Sequence, residues 1–341
     1  MLGTKTKKII LYALLACTIA LLCLTSFIIW LKTASAPVSH QKSEVYLSVK
    51  RGDSFVRILS ELKKNGLARS EKAAKFLYWW NNYSLKAGYY QLGPHLSLNE
   101  ILAILHGGKE HLTRVTIPEG SNIYEIPDIL RERGFSQTAD ELSPLLFDRV
   151  YLSKNGIRLP SAEGYLFPST YFLPRNISGE ELFGTMLDTF REKTRELFQN
   201  LSAEDQEKAL IMASIIEKEA VVAQERPLIS SVFHNRLRLK MKLQADPTVR
   251  YASKNFNDPI RRSQLRLQSP YNTYFAPGLP PGPICNPGLS SIKAALSPES
   301  SDFLFFVSKY DGTGEHHFSR SNREHINFRR QNDQKLKEQN R

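Results

Sequence analysis

The sequence predicts a mixed α+β protein with a single N-terminal transmembrane helix, a small α/β subdomain and a larger α+β domain built around a buried central helix. Three features carry this expectation. An uncharged apolar run stands at the start of the chain, a strand-turn-helix pattern occurs twice, and a nearly all-apolar helix with charges in its middle lies in the last half. With 341 residues, 41% of them hydrophobic, the chain can bury sizeable cores, which excludes disordered and collagen-like classes. Its three cysteines are too few for a disulfide framework. The net charge is +12, of which +8 remains beyond residue 32 once the four lysines up to that point are set aside. That balance suits anionic partners such as a membrane surface or an acidic polymer, although a solvated basic surface is the commoner meaning.

Taken in order, residues 1–8 form a basic tail and residues 9–31 carry no charge, which as a helix gives about 34 Å against a bilayer core of about 30 Å. Lys5, Lys7 and Lys8 precede the run and Lys32 follows it, so the positive-inside rule keeps the tail in the cytoplasm and puts the body of the chain outside. A cleaved signal peptide, or a lipoprotein signal ending at Cys17, are the rival readings. A signal core usually spans 7–15 residues, and this run continues well past Cys17.

Residues 32–43, rich in Ser, Ala and Pro, read as a linker. Within residues 44–135, the stretch from Ser48 to Ile58 aligns with the stretch from Thr116 to Ile126, and the match continues through Leu62 with Leu130 and Gly66 with Gly134. Each copy reads as a strand, a turn at Gly, a helix and a Gly stop. Tyr46, Val49 and Gly52-Asp53-Ser54 resemble the opening of a LysM domain, a βααβ module that binds N-acetylglucosamine-containing glycans. The same residues are also generic turn and cap chemistry. The aromatic residues from Phe76 to Tyr90 suit either a sugar platform or a core.

Residues 136–330 form the second domain, and 331–341 a polar tail. Ser202 with Asp205 opens a helix expected to run to about Ala223, apolar nearly all round beyond its first turn. Such a helix belongs inside a domain, yet it carries Glu217, Lys218 and Glu219. An ionised carboxylate there costs several kcal/mol unless paired or protonated. The two glutamates lie about 200° apart around the helix, so one can react while the other pairs with an arginine such as Arg226 or Arg236. The bulkier collar of Ile215, Ile216, Val222 and Ala223 surrounds Glu219, and desolvation of that kind raises a carboxyl pKa towards that of a general acid.

Several motifs then converge. They are Met212 to Ala220 with its Glu-Lys-Glu run, Val232 to Leu237, Leu243 to Val249, Glu163 to Tyr171, Tyr271 to Tyr274, Gly278 to Ile284, and Asn286-Pro287-Gly288. In order and spacing they resemble the YceG-like (MltG) family of membrane-anchored endolytic murein transglycosylases over about residues 44–330. Ser169 and Ala245 depart from the family pattern, where Asp and Thr are usual. The resemblance implies a lyase that cuts the β-1,4 bond from N-acetylmuramic acid to N-acetylglucosamine without water, leaves a 1,6-anhydro end and terminates nascent strands. It places the catalytic acid/base on Glu219.

Substrate-binding roles are expected at Glu163, Gln244, Asp246, Tyr271, Asn272 and Tyr274. Asp246 either assists at the sugar or caps a turn. The implied place is the bacterial cytoplasmic membrane, single-pass with the catalytic domain outside. The implied partners are peptidoglycan strands and their synthases, with no nucleic acid, metal or cofactor. A silent wall-binding scaffold and a two-carboxylate hydrolase using Glu219 with Asp246 stay open as alternatives.

Overall fold

The computed structural model describes residues 4–41, 43–109 and 111–339, so the ends of the two expected tails, at 1–3 and 340–341, lie outside the described residues. The chain forms two compact units. Unit 1 takes in the chain to Thr113 together with Pro174–Asn176, and unit 2 takes in the rest.

Unit 1 begins with α1 (Thr4–Ser35), whose stretch Ile9–Ser35 is long and apolar enough to cross a membrane and is not buried as a soluble core helix would be. Then follow β1 (Val45–Val49), α2 (Phe55–Lys64), α3 (Glu71–Trp80), β2 (Gly88–Leu92) and α4 (Leu98–Gly107). β1 and β2 pair antiparallel, with Leu47 opposite Tyr90 and Val49 opposite Gly88. Alternation along β1 sends Leu47 and Val49 inward, where they meet Ile58, Leu59 and Leu62 of α2 and Ile101, Leu102 and Leu105 of α4. Ser54, Ser70 and Ser97 cap α2, α3 and α4, each accepting from a backbone N–H three residues on. The expected linker is only partly irregular: α1 continues to Ser35, and Leu31 and Ala34 pack on the unit's core.

The chain enters unit 2 through β3 (Leu112–Thr116), which pairs with β4 (Thr170–Pro174) beyond α5 (Glu125–Glu132), α6 (Ser136–Leu145) and α7 (Arg149–Lys154). The sequence repeat is visible in the backbone. Gly52 and Gly120, at φ of 87° and 78°, make the same left-handed turn, and Gly66 and Gly134, at 68° and 82°, the same stop after the helix. The second copy, expected in the small subdomain 44–135, instead belongs to unit 2, because Val115, Ile117, Ile123, Ile126 and Leu130 bury themselves in that unit's core.

Unit 2 continues with α8 (Gly179–Phe198), α9 (Ala203–Glu219), α10 (Arg226–Arg238), α11 (Asp246–Ser253) and α12 (Leu289–Leu296). A hairpin of β5 (Phe305–Ser308) and β6 (His316–Ser319) and the final helix α13 (Asn322–Gln339) complete it. α9 is the expected central helix: every residue from Ala209 to Ile216 is buried. It ends at Glu219, short of the expected Ala223, because Ala220 turns to extended backbone at φ −78° and ψ 113°. α13 continues through most of the stretch read as a tail.

Candidate active site

The last residue of α9 opens onto a cleft of about 290 Å³ in unit 2. Glu219 lines it together with Gln244, Asp246 and Tyr274. The opposite wall comes from Phe233 and Arg236 of α10, one turn apart, and from the β5–β6 hairpin with Phe306, Val307, Ser308, Tyr310 and His316. The side chain of Glu219 is half-buried. Burial raises its pKa to about 8, the charge of Asp246 adds to the rise, and the Arg236 charge and the Asp246 backbone N–H oppose it. Its place at the C-terminus of a helix, where carbonyl dipoles disfavour an anion, works in the same direction as burial. At neutral pH this carboxyl keeps its proton.

Because α9 stops at Glu219, Val222 and Ala223 do not form the helical collar expected from periodicity. Phe233, Leu243 and Phe306 supply the apolar wall instead. Arg236 forms no ion pair with Glu219 among the described residues. Its Nε donates to Leu304 O at 2.7 Å and its Nη1 to Leu243 O at 2.8 Å, so one guanidinium ties the two sides of the cleft together.

Asp246 is exposed and opens α11. The Tyr274 hydroxyl donates to its Oδ1 at 2.6 Å. Buried hydroxyls fix this pair. Ala245 N donates to Thr273 Oγ1 at 3.0 Å, Thr248 Oγ1 donates to Ala245 O at 2.6 Å, and the two threonine hydroxyls are 2.8 Å apart. Gln244 sits just before, with a φ of 51° that a side-chain-bearing residue rarely adopts. The strained backbone aims an exposed amide at the cleft rim.

Three expected substrate residues lie away from this cleft, each engaged by the fold. Glu163 is fully buried, accepts from Ile123 N at 3.2 Å and from Asn286 Nδ2 at 3.1 Å, and burial raises its pKa to about 8. Asn272 donates to Leu265 O and Leu267 O and accepts from Tyr274 N at 3.0 Å, which holds the tyrosine loop in place. Tyr271 is half-buried with its ring 5.0 Å from that of Tyr251.

Glu217 takes the pairing role: it accepts from Gly288 N at 2.9 Å and meets Arg226 at 3.4 Å, both side chains largely buried. The hairpin residues on the cleft wall had no sequence signal, since an apolar strand next to a Gly-rich turn reads as generic core. Phe233 and Arg236 did carry one, in the Val232 to Leu237 motif.

The profile of the YceG-like family matches residues 47–331. The chain is 33% identical over 307 residues to the endolytic murein transglycosylase of Bacillus subtilis (strain 168), covering 83% of each protein. It is 28% identical over 328 residues to the endolytic murein transglycosylase of Streptococcus pneumoniae serotype 2 (strain D39), covering 85% of this chain and 60% of the pneumococcal protein. A crystal structure of a yceG-like protein from Listeria monocytogenes superposes with a TM-score of 0.57 and 32% identity, over 84% of this chain and 99% of the other.

Proposed function

This chain belongs to the YceG-like family, and from that premise we propose that it is a membrane-anchored lytic transglycosylase whose acid/base is Glu219. As a member of that family it is a lyase acting on peptidoglycan. The observation that carries the residue assignment is a carboxyl group with its pKa raised to about 8, at the floor of the cleft.

In the proposed reaction Glu219 gives its proton to the oxygen leaving the muramyl anomeric carbon. The C1–O bond breaks, and the positive charge developing on the sugar is stabilised by nearby anionic oxygens. The muramyl 6-hydroxyl then attacks the same carbon, and the Glu219 carboxylate takes the hydroxyl proton. This closes a 1,6-anhydro ring and restores the acid. No water is consumed. Asp246, steadied by Tyr274, is proposed to face the positively charged sugar, and Gln244 to bind an N-acetyl or hydroxyl group. Anchoring through α1 with the tail in the cytoplasm would confine cutting to newly made strands, and unit 1 is read as a glycan-facing, LysM-like positioning module.

A hydrolase reading has one observation in its favour, since Asp246 is a second carboxylate at the same cleft. Against it, Asp246 already accepts the Tyr274 hydroxyl at 2.6 Å. Mass spectrometry of digested sacculi separates the readings. Anhydromuramyl ends support the lyase, reducing ends the hydrolase, and uncut strands a binding scaffold.

A further inference from the structure

The three tryptophans of the chain, Trp30, Trp79 and Trp80, all lie in unit 1. Trp79 and Trp80, at the end of α3, are 73% and 68% exposed, leaving large apolar surfaces without a cover. They are continuous with α1. Phe76 stacks on Trp80 with ring centroids 5.6 Å apart and meets Phe27 of α1 edge-on at 5.1 Å, and Phe27 lies 5.7 Å from Trp30.

The height of this contact along α1 identifies what covers it. Phe27 precedes the end of the uncharged run at Leu31 by about 6 Å of helix rise. That is the level at which hydrocarbon gives way to headgroups, where tryptophan is enriched because its ring is apolar and its N–H finds polar partners. Lys72 and Lys75, exposed on α3, and Lys32, just beyond the uncharged run of α1, add cations where anionic lipid phosphates lie. Nor does a loose tether separate α1 from α3. Arg69 Nη2 donates to Pro37 O at 2.8 Å and to Val38 O at 2.9 Å, and Ser39 N donates to Pro94 O at 3.0 Å.

We infer that Phe76, Trp79 and Trp80 form a second membrane contact, seating unit 1 in the headgroup layer of the bilayer that α1 crosses. This rests on the proposed anchoring by α1. It makes α3 a lipid-facing element, not a sugar platform.

The test uses the full chain in vesicles of phosphatidylethanolamine and phosphatidylglycerol, with and without lipids brominated high in the acyl chain. Three double Trp→Phe variants leave one tryptophan each. In the variant keeping Trp30, bromolipid quenching reports the anchor alone. In those keeping Trp79 or Trp80 it reports the inferred seat, and both are expected to lose most of their emission and shift to shorter wavelength relative to the free indole.

Quenching of Trp30 with Trp79 and Trp80 untouched would overturn the seat and leave the anchor standing. No quenching at any of the three would overturn both. A response of Trp79 or Trp80 to soluble chitooligosaccharide, without bromolipid quenching, would overturn the seat in favour of glycan stacking.

Discussion

Glu217 and Glu219 stand two residues apart on one helix, and their surroundings divide the work between them. Glu217 is held by a backbone N–H and a guanidinium, whereas Glu219 faces the cleft with its pKa raised to about 8. Replacing Glu219 with Gln keeps the shape and removes the proton, so cleavage of isolated sacculi is expected to fall by about 10²–10⁴-fold with the melting temperature retained. Full activity in that variant would remove Glu219 from the reaction. Since the acid form is the one required, the rate is also expected to decline as pH rises through about 8, a limb that a pH–rate profile would resolve. Tyr274→Phe frees Asp246 from its 2.6 Å partner. If Asp246 contacts substrate, steady-state kinetics will show a changed KM or kcat while the fold, followed by circular dichroism, stays intact.

At the scale of elements, the end of α9 matters more than its composition. α9 stops at Glu219, with Ala220 already in extended backbone, and that last helical residue is the one that lines the cleft. The wall opposite is built by the β5–β6 hairpin, which Arg236 holds through the Leu304 carbonyl. The turn from Glu163 to Leu166 is fastened to the Asn286 loop, with Gly164 N and Leu166 N both donating to Asn286 Oδ1 at 2.9 and 3.0 Å. Gly164 has a φ of 89°, and a Cβ there would come within 2.6 Å of Pro283 and 3.0 Å of Leu210 on α9. Gly164→Ala is therefore expected to cost roughly 1–3 kcal/mol through strain and overpacking, read as a lowered melting temperature. An unchanged melting curve would mean that this turn relaxes freely.

For the whole molecule, two carboxyls, the fully buried Glu163 and the half-buried Glu219, set a pH dependence of stability. Glu163 and Glu219 have folded-state pKa values raised from 4.5 to about 8, so between these values the folded chain holds protons that the unfolded chain has released. Their stabilising share is complete below about pH 4.5 and is lost as pH rises through about 8. Glu163→Gln keeps an acceptor for Ile123 N and removes the ionisation. Its melting temperature is expected to vary less with pH over that window than that of the parent chain, with each pKa unit worth ~1.4 kcal/mol. Parallel curves would show that Glu163 does not titrate with unfolding.

The amino-acid order alone determined the apolar N-terminal helix, the mixed α+β class, the repeated strand-turn-helix, the buried helix that carries Glu-Lys-Glu and the family resemblance. These follow from local periodicity, glycine turns and short motifs, all written within a few residues. Tertiary structure decided which groups share a cleft. Glu219, Gln244, Asp246 and Tyr274 converge there, while Glu163 and Asn272, equally prominent in the motifs, are engaged by the interior and Tyr271 packs half-buried beside Tyr251. It also decided where α9 stops and that a hairpin nearly ninety residues further on closes the opposite wall. The reason is physical: burial and the electrostatics that raise a carboxyl pKa depend on neighbours distant along the chain, and no local pattern encodes which side of a loop will meet them.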